Sequence, residues 1–317
     1  MAASINEVRN TVLAIANKNN YGYISPQDFN LYAKQAQLDM FEDYFYAYNN
    51  WINKENARVS GTGYADIIKG LEEVMDTFSV QVFLQQNNAN VYTLPADYYL
   101  INKVFYYPDV LFTGSSTGVN PNQLLDTNAT GWTIIPTASP TPAIGSIVVN
   151  TTTLQQAFVT GVVNSTTLNL SADIFLAPGN AYKIYNNTNI KEVERVSQNK
   201  IFYLTSSNLT APTKSYPAYV LDGSLITVYP STILNIGDVQ SQYIRYPLTP
   251  RWTYQNLNLG EPVFDSTQPD FQEFELPDSD EPTLIAKICQ YVGIEIREAE
   301  VYNFGATAET NEIQESS

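Results

Sequence analysis

The sequence predicts an α+β fold: helices at the two ends of the chain, a β region between them, and a small all-β barrel or sandwich inserted in that region. Three observations predict it. Apolar residues recur three or four apart up to about position 77 and again after position 280, which is helical spacing. Between those stretches they alternate with polar residues, which is strand spacing. Residues 109–188 stand apart by composition: they are full of Thr, Asn, Gly, Ser and Pro, and only Asp109, Asp126, Asp173 and Lys183 are charged. With 317 residues, 44% of them apolar, the chain can form two domains with a sizeable core. The expected division is a helical/β domain made of 1–108 plus 189–317, and an inserted β domain, 109–188.

The elements follow in order. Ser4 and Glu7 have capping-box spacing, and Ile5, Val8, Val12 and Ile15 then share a helix face, with an end expected near Asn19-Asn20. Ser25 is the expected N-cap of a second helix, with Pro26 at its first position and Asp28 in its first turn. Its apolar series is Phe29, Tyr32, Ala33, Ala36, Met40, Tyr44 and Tyr48, running to about Trp51. A third helix is expected from Tyr64 to Thr77. Strands then read at 80–84, 91–94 and 98–107, and within the insert at 145–149, 157–163, 167–170 and 181–185. After Asn189 the expected strands are 193–196, 201–204, 218–221, 225–228 and 239–246, with Asp222-Gly223 as a hairpin turn. Pro247, Pro250 and Trp252 end the sheet, and Ser279 or Asp280 caps a last helix carrying Leu284, Ile285, Ile288 and Val292.

Charge narrows the function. The net charge is −16, opposite to the balance needed to neutralise phosphates, so specific nucleic-acid binding is not expected. Residues 261–317 hold 14 acidic side chains against Lys287 and Arg297, and so carry −12 of that charge. Met1 is followed by Ala-Ala-Ser and a polar helix, so no secretory leader is expected. No apolar run approaches the roughly 20 residues of a membrane span.

The chain has no histidine, which removes Ser-His-Asp and Cys-His catalysis and the commonest metal ligand and general base. The single cysteine, Cys289, falls on the apolar face of the last helix and reads as a packed thiol. Paired carboxylates remain chemically open, because glycoside hydrolysis needs only Asp and Glu. The place for them is Asp270, Glu273, Glu275, Asp278, Asp280 and Glu281, a cluster that could also hold calcium loosely. A solvated loop that supports a helix N-terminus is the favoured reading of those acids. Gly61-Thr62-Gly63 lacks the remainder of a phosphate loop. Tyr44, Tyr46, Tyr48 and Trp51 could stack on sugars or bases, but their helical spacing favours packing within or between subunits. No catalytic, cofactor-binding or metal-binding residue is assigned, and no cofactor is expected.

Three stretches resemble the head-to-tail connector, or ring, proteins of crAss-like and related podoviruses. The first runs from Ile5-Asn6-Glu7-Val8 through Tyr23-Ile24-Ser25-Pro26 and Phe29-Asn30 to Gln35-Ala36-Gln37. The second has Ala211-Pro212-Thr213-Lys214, Tyr216-Pro217, Val228-Tyr229-Pro230, Tyr243-Ile244-Arg245-Tyr246-Pro247 and Pro250-Arg251-Trp252. The third pairs Phe274-Glu275-Leu276-Pro277 with Leu284-Ile285-Ala286-Lys287-Ile288 and Gly293-Ile294-Glu295-Ile296-Arg297-Glu298. The resemblance covers most of the chain outside the insert. It implies a virion structural protein, made in the host bacterial cytoplasm and residing in the phage neck or tail. Its implied partners are further copies of itself in a cyclic homo-oligomer, twelve-fold in such families, together with the portal protein and neighbouring neck or tail rings. Genomic DNA would pass through without specific binding, and no membrane, cofactor or reaction is implied. An acidic wall suits such a conduit, because like charge keeps phosphates from sticking. The alternative is another phage structural role, as a tail-tube, spike or head-decorating protein binding host glycan through the insert. A carbohydrate-active enzyme is a weaker alternative.

Overall fold

The computed structural model describes residues 2–16, 24–57, 65–129, 132, 142, 144–256, 262–295 and 302–307. The fold is α+β, with helices towards both ends of the chain and β-sheets between. It divides into two compact units, 1–78 with 246–317 and 79–245. The division therefore falls at 78/79 and 245/246, not at the expected 108/109 and 188/189. The helices towards the two ends of the chain form one unit, and nearly all the strands, with one short helix between them, form the other.

In the first unit, α1 (Ile5–Ala16), α2 (Pro26–Ala57) and α3 (Ala65–Asp76) precede α5 (Glu281–Glu295), which packs on α1 and α2. Burial follows the helical periods: Ile5, Val8 and Val12 on α1, Phe29, Ala33, Ala36 and Met40 on α2, and Leu284, Ile288 and Val292 on α5 are all inside. The cap expected for α2 is present, since Ser25 Oγ accepts from the Asp28 N–H at 3.2 Å and bonds the Asp28 carboxylate. The start of α1 is held from elsewhere: the Ile5 N–H donates to Glu273 Oε2 at 2.6 Å. A 3-10 turn, Asp278–Asp280, leads into α5, so the chain enters that helix through a tighter turn than a single Ser or Asp cap. A short helix at 302–307 lies against α5, where a Cβ on Gly305 would come within 2.5 Å of the Ala286 carbonyl oxygen. That approach requires glycine.

Trp252 is the hub between the chain's two ends in this unit. Its backbone exchanges two bonds with the Asn30 side chain, at 2.8 and 3.1 Å, and its indole N–H donates to Asn6 at 3.1 Å. The Arg9 guanidinium sits 3.8 Å over its ring. Tyr254 of β16 (Tyr254–Asn256) and Phe264 of β17 (Pro262–Phe264) stack on the same indole.

The second unit contains two sheets. The larger has the order β1-β15-β4-β12-β13-β14-β3-β2. Its strands are β1 (Ser79–Phe83), β2 (Gln85–Asn88), β3 (Val91–Thr93), β4 (Tyr98–Tyr106), β12 (Lys191–Arg195), β13 (Ala218–Asp222), β14 (Leu225–Tyr229) and β15 (Val239–Arg245). Asp222-Gly223 turns β13 into β14 as expected, with Asp222 paired to Leu225. The smaller sheet has the order β5-β11-β8-β9-β10-β7-β6 and draws all its strands from 110–185. They are β5 (Val110–Ser115), β6 (Gly118–Asn120), β7 (Gln123–Leu125), β8 (Ile147–Asn150), β9 (Gln156–Asn164), β10 (Thr167–Leu170) and β11 (Ala181–Tyr185).

One expectation is corrected here. Residues 201–204 are not a strand: they lie in α4 (Gln198–Thr205), which opens on Ser197 and buries Ile201. The reason is topological. Strands β12 and β13 are parallel neighbours, and a parallel pair needs a crossover that a tight turn cannot supply. A run of four apolar residues could not reveal that requirement. The seven-stranded sheet also meets the flanking β region: Phe83 and Tyr107 share one buried cluster with its Ile147, Val149 and Tyr185. Lys183 and Tyr185 of β11 both bond Asp238, at 2.6 and 3.0 Å, just ahead of β15.

Candidate assembly surface

The acidic residues of the C-terminal part do not pool into one site. Glu273 holds the α1 N-terminus, and Glu275 accepts from the Leu248 N–H at 2.6 Å. Asp270 pairs with Arg251 at 2.9 Å, and Asp280 accepts from the Tyr44 hydroxyl. Burial raises the Glu281 carboxyl above its ordinary value, and the charges of Glu7 and Asp278 push the same way. Nearby, Asp265 begins an Asx-type turn and is held well below the ordinary carboxylate range, first by the Thr267 hydroxyl and then by the Thr267 N–H and the Gln268 and Gln255 amides. Among the described residues no three His, Cys, Asp or Glu side chains are grouped to hold a metal ion. Asp270, Glu273, Glu275 and Asp280 act as anchors: each ties a chosen N–H, hydroxyl or guanidinium into the unit.

The other residues singled out from sequence are distributed as follows. Cys289 is fully buried on α5, and burial lifts its thiol to about 12, far from thiolate chemistry. Tyr44 and Tyr48 are tied to Asp280 and Glu72, while Tyr46 is exposed on α2. Trp51 belongs to α2. Residues 61–63, and the acidic tail beyond 307, lie outside the described residues.

The seven-stranded sheet carries a surface cavity of about 370 Å³, lined by Phe112, Asp126, Asn128, Trp132 and Tyr182 among others. Aromatic rings beside a carboxylate are what a sugar site would use. Asp126, however, is already committed: one oxygen accepts from the Tyr182 hydroxyl at 2.7 Å and the other from the Asn128 N–H at 2.9 Å. Burial and that bond drive the Tyr182 hydroxyl far above its ordinary value. The Gly114 Cα position is fitted to this pair, since a Cβ there would meet the Tyr182 hydroxyl at 2.5 Å. The carboxylate and the phenol at the base of the cavity satisfy one another, while the buried indole N–H of Trp132 beside them has no hydrogen-bond partner.

The most unusual surface is the crossover between β12 and β13. Helix α4 packs Ile201 inward with Val196, Ala218 and Val220, leaving Phe202 and Tyr203 outward at 70% and 79% exposure. Beyond the helix, Leu209 is 94% exposed and Tyr216 82%. The lobe is nevertheless held in shape. Ser206 and Ala211 N–H groups bond back to Phe202 and Ser207, the Thr210 hydroxyl donates to the Leu204 carbonyl, and Thr213 and Tyr216 exchange two backbone bonds of 3.1 Å. Sequence reading missed this surface, although Phe202-Tyr203 followed by the Ser- and Thr-rich run to Tyr216 was visible. The misassigned strand at 201–204 placed alternate members of that run in a core.

Comparison with known protein families finds no match, and comparison with curated proteins finds none. No described helix is long and apolar enough to cross a membrane.

Proposed function

We propose that this protein is a virion structural subunit, a ring-forming component of a phage head-to-tail connector, and not an enzyme. The observation that carries the reading is the crossover lobe at 198–216. A chain that functions alone gains nothing by holding Phe202, Tyr203, Leu209 and Tyr216 in water on a hydrogen-bonded frame. A subunit of an assembly covers them. The resemblance of the flanking sequence to connector proteins gives the assembly its kind, and the acidic balance suits a conduit that DNA must slide through without adhering. Partners on this reading are identical copies in a twelve-fold ring, the portal protein above and neighbouring neck or tail rings.

Sedimentation velocity of the full-length protein, alone and with portal protein, tests the reading. A closed oligomer under either condition supports it, and a monomer under both contradicts it. Filter binding to duplex DNA at physiological salt tests the electrostatic half. Retention of DNA would contradict the conduit reading.

A further inference from the structure

We infer that the 198–216 lobe is the lateral contact between neighbouring subunits, docking on the acidic α3 surface of a second copy of this chain; the inference rests on the ring reading above. Two features of the lobe point to that occupant. The first is area. Aromatic side chains present about 150–250 Å² each, so Phe202, Tyr203 and Tyr216 with Leu209 display on the order of 600 Å². One partner of a standard interface contributes about 800 Å², so the lobe supplies most of one side. The frame is ordered in advance, which removes much of the ordering cost of docking.

The second feature is charge. From 196 to 217 the chain carries Lys200 and Lys214 and no acid, while the whole chain stands at −16. Two copies therefore repel over most of their surfaces and attract where this segment meets an acidic one. Helix α3 offers such a surface, with Glu72, Glu73 and Asp76 all exposed. Lobe and acceptor are different surfaces of one chain, so the contact is heterologous, and repeating it generates a ring when the rotation closes. Aromatic anchors with a charged rim are the usual composition of such contacts. An anionic bilayer would also attract Lys200 and Lys214 and take up the aromatics, but the remaining acidic surface opposes that approach.

Four full-length proteins are compared by sedimentation velocity, with and without portal protein: wild type, F202S/Y203S/Y216S, K200E/K214E, and K200E/K214E/E73K/D76K. All five substituted aromatic and lysine positions of the lobe are exposed, and circular dichroism checks each fold. The lysine pair keeps the test valid should the aromatic triple variant fail to fold. The inference predicts at least tenfold weaker assembly for the aromatic triple and for K200E/K214E, and recovery in the charge-swapped quadruple variant. Wild-type assembly by K200E/K214E would overturn the lobe contact and leave the ring reading standing. Loss without recovery in the quadruple variant would overturn the α3 acceptor. A wild type that never assembles would overturn both readings. Flotation with phosphatidylcholine–phosphatidylglycerol vesicles completes the set. Vesicle binding by wild type but not by the triple variant, with assembly intact, would assign the lobe to lipid and overturn the inference.

Discussion

Lys183 Nζ lies 2.6 Å from Asp238 Oδ1, with the lysine side chain 15% and the aspartate 5% exposed, and this pair joins the seven-stranded sheet to the turn that starts β15. Tyr185 and Asn235 donate to the same carboxylate, at 3.0 Å each. Removing the lysine alone leaves a buried carboxylate with two neutral donors. Lys183→Met should lower unfolding free energy by about 3 kcal/mol, as expected when one partner of a buried pair is lost. K183M/D238N should recover a substantial part, because the stranded charge is gone. Chemical denaturation of the three proteins checks the order.

Deletion of 108–189 tests the shared core. The joined chain would keep Phe83 and Tyr107 but lose Ile147, Val149 and Tyr185, with which they form a buried cluster. It would also strand Asp238. We expect the deleted protein to aggregate or to lose its cooperative thermal transition. A soluble protein with an unchanged transition would show that residues 109–188 are a separable inserted domain.

The fold was legible wherever one local rule acted alone. Helix spacing marked α1, α2 and α5, and Ser25-Pro26-Asp28 marked the start of α2 within a residue. Asp222-Gly223 marked a hairpin. What escaped notice depends on partners far away in sequence. Gln37 is polar and outside the apolar series of α2 yet is buried, because its amide donates to the Leu248 carbonyl and accepts from the Glu275 N–H, 211 and 238 residues on. The acidic cluster looked like a solvated loop; its anchoring role appears only once Ile5 and Leu248 are brought beside it. The lobe was missed because a run of four apolar residues, Ile201 to Leu204, fits a strand and a helix equally, and the parallel pairing of β12 with β13 decides between them.

Alkaline pH should destabilise the second unit. Burial raises the Tyr107 hydroxyl to about 12, and burial together with its bond to Asp97 raises Tyr243 to about 12. The raised groups stay neutral in the folded chain, whereas the unfolded chain ionises them near 10. Their contribution to stability is therefore complete below pH 10 and is lost as pH rises towards 12. Thermal midpoints should fall across that window, and the tyrosinate absorbance of these residues should appear together with unfolding. Tyr107→Phe should flatten the fall.

Glu273 is expected to hold the start of α1 through the Ile5 N–H, at a distance of 2.6 Å. Glu273→Ala should cost about 1 kcal/mol, the usual value of an N-cap, and raise hydrogen exchange at Ile5. Asp270→Ala, which removes only an exposed pair with Arg251, should cost under about 1 kcal/mol. Equal losses in the two variants would remove the anchoring role given to Glu273.

Negative-stain class averages of the full-length protein, alone and with portal protein, test the central claim most directly. The account predicts closed rings, twelve-fold in end view, under at least one of the two conditions. Single unassociated particles under both conditions would contradict it.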